Sequence, residues 1–328
     1  MLQPLSNHIA RHIARHITRH ITRRPARLRV SLAAAGAAVV AMSACQKPSP
    51  GAAPESGIRQ QILARIAQHP GALVGVAYID LGSGDTIFIN ADSIMHAAST
   101  MKVPVMLRLY READARSHSL DRKLLLVNSF TSIVDGSRYA LDSAVDSDTS
   151  MYHAVGDSVS VRELIRHMIT RSSNLATNTL IALANPDSVN AMMRSLGATR
   201  MRVLRGVEDE KAFEAGQNNT ATARDLATLL HALETGRAAS PAATAEMRDV
   251  LMAQKFNEKI PAGLPPGVRV AHKTGDITAI AHDAAIVYPN GRAPYILVVL
   301  TKGIQAEPVA DSLIADISRD IYAYAMHQ

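Results

Sequence analysis

The 328-residue sequence contains no tryptophan, only four phenylalanines and a single cysteine, Cys45. One cysteine excludes an intramolecular disulfide and a thiolate metal cluster. With aromatic residues at 4%, a core has to be filled by aliphatic and methionine side chains. Acidic residues are missing from the first 44 positions, which hold seven of the 35 lysines and arginines (Arg11, Arg15, Arg19, Arg23, Arg24, Arg27 and Arg29). The rest of the chain carries 28 basic against 29 acidic residues. The basic balance therefore belongs to the leader, and no nucleic-acid partner follows from it.

That leader continues into an apolar run, Val30 to Met42. The run is too short for a permanent membrane span but suits the apolar region of a signal peptide. Small residues, Ser43 and Ala44, then precede Cys45, which resembles a bacterial lipoprotein cleavage site with Cys45 as the lipidated first residue. The repeated Arg-His-Ile wording between Arg11 and Thr22 is low in complexity and is assigned no function. Residues 46–57, rich in Pro, Ser, Gly and Ala, read as a tether, and residues 58–328 as one domain large enough for a substantial core. The expectation is an exported monomer on the periplasmic side of a bacterial membrane, touching that membrane only through its lipid.

Within the domain, Ile58 to Gln68 has helical periodicity. Ala72 to Asp80 and Thr86 to Asn90, split by Gly82-Ser83-Gly84, read as a β-hairpin. Ser160-Val161-Arg162-Glu163 is a capping-box pattern opening a helix over Val161 to Ile169. Further helices are expected over Leu175 to Ala184 and Arg224 to Leu233. Strand signals return at Val268 to Lys273, Ala284 to Tyr288 and Tyr295 to Thr301, with a turn at Pro289-Asn290-Gly291 and a last helix from Val309 to Met326. The pattern implies an α/β fold: an antiparallel sheet built by both chain ends, flanked by the terminal helices, with an all-helical lobe inserted between its strands.

Three short segments carry chemistry. Ser99-Thr100-Met101-Lys102 opens an apolar helical stretch, and residues three apart on a helix share a face. Lys102, the only one of eight lysines with Ser three residues earlier, can thus act as a base toward the Ser99 hydroxyl. It does so only if burial or a neighbouring cation lowers its pKa. Pro104 is tolerable only near a helix start, which puts Ser99 at the N-terminal end, where free backbone N–H groups can hold an oxyanion. Ser172-Ser173-Asn174 falls in a polar break between two helices. There Ser172 can relay a proton to a leaving nitrogen and Asn174 can bind a substrate amide, while the same residues would also serve as plain helix caps. Lys273-Thr274-Gly275 lies on a strand, with Lys273 and Thr274 suited to a substrate carboxylate and Gly275 to close backbone approach. The N–H of Asp276 then joins that of Ser99 as an oxyanion donor.

From about Ile58 onward the chain resembles the class A β-lactamase family, among the penicillin-recognising serine hydrolases. The resemblance rests on those three segments, on Arg205-Gly206-Val207-Glu208-Asp209 and on Asn218-Asn219-Thr220, with Ser173 where the family pattern has Asp. It implies acylation of Ser99 by a β-lactam or a peptidoglycan-like amide, without a cofactor. It also implies a glutamate that activates the deacylating water. The family register points to Val207 or Gly206, so Glu208, one step away, is the first candidate, ahead of Glu210 and Glu214. The ion pair that closes this loop in the family would here join Arg205 to a neutral Asn219. The alternatives are a D,D-peptidase or esterase with the same acylation half, or a penicillin-binding sensor that stays acylated. His272, His282 and Asp283 lack a third ligand at metal spacing and read as structural.

Overall fold

A computed structural model describes residues 54–328. The leader, Cys45 and residues 46–53 of the expected tether lie outside the described residues. Helix α1 spans Pro54–Ala67, so the last four residues expected in the tether form its first turn. Strands β1 (Leu73–Asp80) and β2 (Thr86–Ile89) form the N-terminal hairpin. The two-residue strand β3 (Met95–His96) leads into a 3₁₀ turn, Ala98–Met101, and helix α2 (Lys102–Asp114). Short strands β4 (Lys123–Leu125), β5 (Phe130–Thr131), β6 (Arg138–Tyr139) and β7 (Ser158–Ser160) pair as β4–β7 and β5–β6. Helices α3 (Val161–Thr170), α4 (Asn174–Ala184), α5 (Pro186–Ser195) and α6 (Glu210–Glu214) follow. Strand β8 (Thr220–Ala221) pairs with β3, and α7 (Ala223–Glu234) and α8 (Pro241–Met252) complete the helical lobe. The chain closes with β9 (Arg269–Ile277), β10 (Ile280–Tyr288), β11 (Tyr295–Lys302) and α9 (Glu307–Met326).

The sheet runs β2-β1-β11-β10-β9, antiparallel throughout, so both chain ends build it and β9 is left as an edge. Strand β11 shows why helices cover both faces. Tyr295, Leu297 and Val299 join the apolar layer with Ile58 and Ile62 of α1 and Leu313, Ile317 and Ile321 of α9. Ile296, Val298 and Leu300 point the other way, into the layer with Leu226, Leu229 and Leu230 of α7. Side chains alternate along a strand, so an apolar residue at every position needs an apolar partner layer on each side.

Helix α2 is the axis of the lobe, packed by α3, α4, α5 and α8. Every residue from Lys102 to Leu107 is buried, which removes the solvent face a surface helix would keep. The capping box forms as the sequence predicts, with Ser160 Oγ accepting from Glu163 N at 3.2 Å. Helices α5 and α8 are absent from the periodicity reading. Asn185-Pro186 and Ser240-Pro241, a cap followed by proline in the first turn, are the signals that mark them.

Buried Asp80 ties the hairpin to the distant β10–β11 turn. It accepts from Tyr78 OH (2.8 Å), Gly82 N (2.8 Å), Ser83 N (3.0 Å) and the Arg292 guanidinium. Burial alone would raise its pKa, but these donors hold it below the ordinary carboxylate value. Its stabilisation is therefore present above the unfolded carboxylate pKa and is lost as pH falls through the lowered folded value. Asp80→Ala is expected to cost about 2 kcal/mol, because it leaves the buried Tyr78 hydroxyl and two backbone donors without their acceptor and frees a half-buried guanidinium. Urea unfolding at pH 7 measures that cost, and the gap between variant and wild type should shrink toward pH 3.

Candidate active site

The 3₁₀ turn holds Ser99 in a strained frame. Ala98 adopts φ +45°, unfavourable for a residue with a Cβ. Its neighbours impose that geometry. Ala98 N donates to His96 Nδ1 (3.0 Å), Thr100 Oγ1 to Ala97 O (2.6 Å) and Ala97 N to Asn219 O (2.8 Å). His282, wholly buried on β10, sits within 2.9 Å of His96 O through Nε2 and within 3.2 Å of Thr301 N through Nδ1. Burial drives its pKa down to about 4, so the ring is neutral, and it lies against two backbone carbonyls, His96 O through Nε2 and Ala281 O through Nδ1 at 2.8 Å. The two histidines thus brace the turn.

Lys102 begins α2 fully buried, one helical turn beyond Ser99. Its Nζ lies 2.6 Å from Ser172 O, 3.1 Å from Ser172 Oγ and 3.0 Å from Asn174 Oδ1. Ser172 Oγ also receives Lys273 Nζ at 3.1 Å, and Lys273 donates its other bond to Thr274 O at 2.8 Å. One hydroxyl therefore stands between two buried amines. Desolvation, then the Lys273 charge, pushes Lys102 well below the usual lysine range, against the opposing pull of Asp146 and Glu208. Desolvation likewise lowers Lys273 to about 7. Ser172 is itself held at φ +57° in the break between α3 and α4.

Asn174 couples this pair to the loop before β8. Its side-chain oxygen accepts from Lys102, and its amide donates to Glu208 Oε1 at 2.8 Å. Glu208 Oε2 accepts from Asp142 N at 3.2 Å, and its φ is +58°. Val207 and Gly206 do not offer the cleft a carboxylate. Val207 N and O are instead clamped by the Asn178 side chain at 2.6 and 3.0 Å. Glu210 and Glu214 are exposed at the two ends of α6. The loop closes without an ion pair. Asn219 Oδ1 accepts from Leu204 N (2.7 Å) and Arg205 N (3.1 Å), and its Nδ2 donates to Arg205 O (2.9 Å). The Arg205 guanidinium goes to Gln217 O, Gly206 O and Asn218 Oδ1.

Strand β9 lays Lys273, Thr274 and Gly275 alongside the nucleophile turn. A Cβ at Gly275 would sit 2.9 Å from Ser99 N and 3.0 Å from Thr100 N, so only glycine permits this approach. Asp276 stands on the same open edge, with its carboxylate paired to Lys259 at 3.0 Å. The structure thus brings together Ser99, Lys102, Ser172, Asn174, Glu208, Lys273, Thr274, Gly275 and Asp276. His272 is bound to Asp283 at 3.0 Å, both buried. Among the described residues no group of three His, Cys, Asp or Glu side chains is placed to hold a metal ion.

Sequence reasoning does not find Asp146, Asn178, Asp209 or the His96–His282 brace. Asp209 accepts from Ser132 Oγ (2.8 Å) and Ile133 N (3.0 Å), pinning the loop to the β5–β6 hairpin. These contacts span 76 and 77 residues, and no local spacing announces them.

Two desolvated amines flank the Ser172 hydroxyl, and Ser99 stands one helical turn before the first of them, the kinds of group an enzyme that works through an acylated serine requires. That class has a known sequence family. Residues 57–325 match the profile of the Beta-lactamase enzyme family, and the chain belongs to it. β-Lactamase AST-1 of Nocardia asteroides is 30% identical over 269 residues, covering 80% of this chain and 83% of its own. A β-lactamase of Streptomyces albus G is 28% identical over 262 residues, covering 78% and 81%. Among solved structures, PBP-A superposes with a TM-score of 0.73 at 26% identity, over 83% of this chain and 97% of its own. An ancestral class A β-lactamase gives 0.71 at 29%, over 81% and 99%.

Gly275→Ala tests the packing of β9 on the nucleophile turn. The added methyl meets backbone, which cannot swing aside, so acylation of Ser99 should fall at least about 100-fold, as expected when a reacting group is displaced by about 1 Å. Stopped-flow acylation by a penicillin measures the loss, and the variant's circular dichroism should match wild type.

Proposed function

We propose that this chain is a serine β-lactamase, opening the amide of a β-lactam through an acyl-enzyme at Ser99 and hydrolysing that intermediate. The observation that carries the reading is the single Ser172 hydroxyl held 3.1 Å from the Nζ of both Lys102 and Lys273. With its pKa lowered by desolvation, Lys102 supplies a neutral amine to take the Ser99 proton as Oγ forms its bond to the lactam carbonyl carbon. The carbonyl oxygen, now an anion, is received by the N–H groups of Ser99 and Asp276. Collapse breaks the C–N bond. The leaving nitrogen takes the Ser172 proton, which Lys102 replaces. Lys273, buried and bonded to Thr274 O with a pKa lowered to about 7, is drawn into its charged form by a substrate carboxylate at Thr274 and pairs with it at short range.

Glu208 completes the cycle in this reading. Its carboxylate, oriented by the Asn174 amide, takes a proton from the water that attacks the ester carbonyl, and Ser99 leaves with a proton returned to Oγ. A mutant of PBP-A that matches this fold with a TM-score of 0.68 at 26% identity has been solved as an acyl-enzyme with penicillin G. That supports the acylation half. Export and a lipid anchor at Cys45 remain part of the proposal, supported by the acid-free basic leader and the small residues before the cysteine. Fatty-acid labelling that marks wild type but not Cys45→Ala is the expected result.

Intact mass after mixing with a penicillin separates the two half-reactions. Ser99→Ala should form no adduct. Glu208→Gln should acylate at the wild-type rate and then stall, with turnover reduced roughly 10²–10⁴-fold, because an amide accepts no proton from water. Turnover of Glu208→Gln at the wild-type rate would remove Glu208 from its role.

A further inference from the structure

The Ser172-Ser173-Asn174 segment lacks an acidic residue at its middle position. Ser173 is wholly buried and works as the N-cap of α4, with Oγ accepting from Ala176 N at 3.2 Å. A carboxylate reaches the same helix end from elsewhere in the chain. Asp146, in the loop before the turn Thr149–Ala154, is buried with its carboxylate against the first residues of α4. Oδ2 accepts from Asn174 N (2.9 Å), Leu175 N (3.1 Å) and Tyr152 OH (3.1 Å). Oδ1 accepts from Asp148 N (3.0 Å) and lies 3.1 Å from Asn174 N.

We infer that Asp146 is a positioning residue for acyl transfer, supplying from a separate loop the anion that fixes Asn174 and sets the charge balance around Lys102. The inference rests on the acylation reading given above. Its geometric part is direct. Asn174 meets Lys102 through its oxygen and Glu208 through its amide, so whatever fixes the Asn174 backbone fixes both contacts. Two helix N–H groups aimed at one carboxylate also use the partial positive charge of a helix N-terminus. The electrostatic part follows from burial. Three charged groups bear on Lys102: Lys273 from β9 opposes its protonation, while Asp146 and Glu208 favour it. Removing the Asp146 charge leaves Lys273 less opposed, so Lys102 should lose its proton at lower pH.

The test compares wild type with Asp146→Asn, which keeps size and one acceptor but loses the charge. The acylation rate by a penicillin is followed across pH, with thermal unfolding in parallel. Expected are a roughly tenfold or larger fall in the maximal acylation rate and a downward move of its acidic limb by about half a unit to one unit. A loss of thermal stability with the acidic limb in place would reduce Asp146 to a helix cap and overturn the inference. Should Asp146→Asn not fold, the exchange Asp146→Ser with Ser173→Asp returns an anion to the same helix end. It is expected to fold and to acylate within about tenfold of wild type, and a folded exchange variant that does not acylate would equally overturn the inference. If wild type itself forms no adduct, the acylation reading falls and this inference with it. Normal wild-type acylation with an unchanged variant removes the inference alone.

Discussion

The molecule is organised around two amines withdrawn from water. Burying one ammonium is costly, and burying two that repel each other is more so, unless acceptors are supplied where the nitrogens lie. Ser172 O, Ser172 Oγ, Asn174 Oδ1 and Thr274 O are those acceptors. They come from the break between α3 and α4 and from β9, while the amines come from α2 and β9. Three elements must therefore meet at one point, and the helical lobe has to close on the edge of the sheet to let them. The same desolvation that makes this meeting expensive lowers Lys102 toward the free-amine state that serine activation needs.

Three of the seven non-glycine residues at positive φ among the described residues stand at this meeting point. They are Ala98, Ser172 and Glu208, all with a Cβ. Such conformations persist only where surrounding bonds over-determine them. Ala98 is fixed through His96 and His282. Ser172 lies between Arg171 and Ser173, whose backbone N–H groups both bond His167 O at the end of α3, and Ser173 also caps α4. Glu208 is followed by Asp209, anchored to Ser132 and Ile133, and preceded by Val207, anchored to Asn178. Rigid attachments on both sides let one residue between them take an unfavourable backbone shape.

The loop carrying Glu208 illustrates how a lost interaction is replaced. An ion pair between its ends is absent, yet Asn219 binds three backbone groups of Leu204 and Arg205, and Arg205 binds two carbonyls and Asn218. A neutral hydrogen bond contributes about 0.5–1.5 kcal/mol and one from a charged group about 1.5–3, so three of each kind match one partly buried pair. Glu208 itself follows Gly206 and Val207, the two positions to which the family resemblance points. Positive φ at Glu208 turns its side chain back onto the Asn174 amide, which linear counting along the loop cannot anticipate.

What the sequence determined by itself is local. Periodicity and capping placed the N-terminal hairpin, α3, α4, α7 and α9, and the strands at β9, β10 and β11 to within a few residues, because those signals depend on neighbours a turn or two away. Spacing likewise singled out Ser99 with Lys102, Ser172 with Asn174, and the Lys273 segment, each a short stretch of chain. Helices α5 and α8 were missed because their cue is a cap and a proline, not an apolar stripe. Tertiary structure alone decided the rest. It put Ser172 Oγ between lysines 70 and 101 residues away, seated Asp146 under Asn174 from 28 residues upstream, and braced the nucleophile turn with a histidine 186 residues on. Those contacts form only after the chain folds back on itself, and a pKa set by burial and by distant charges exists only once they have formed.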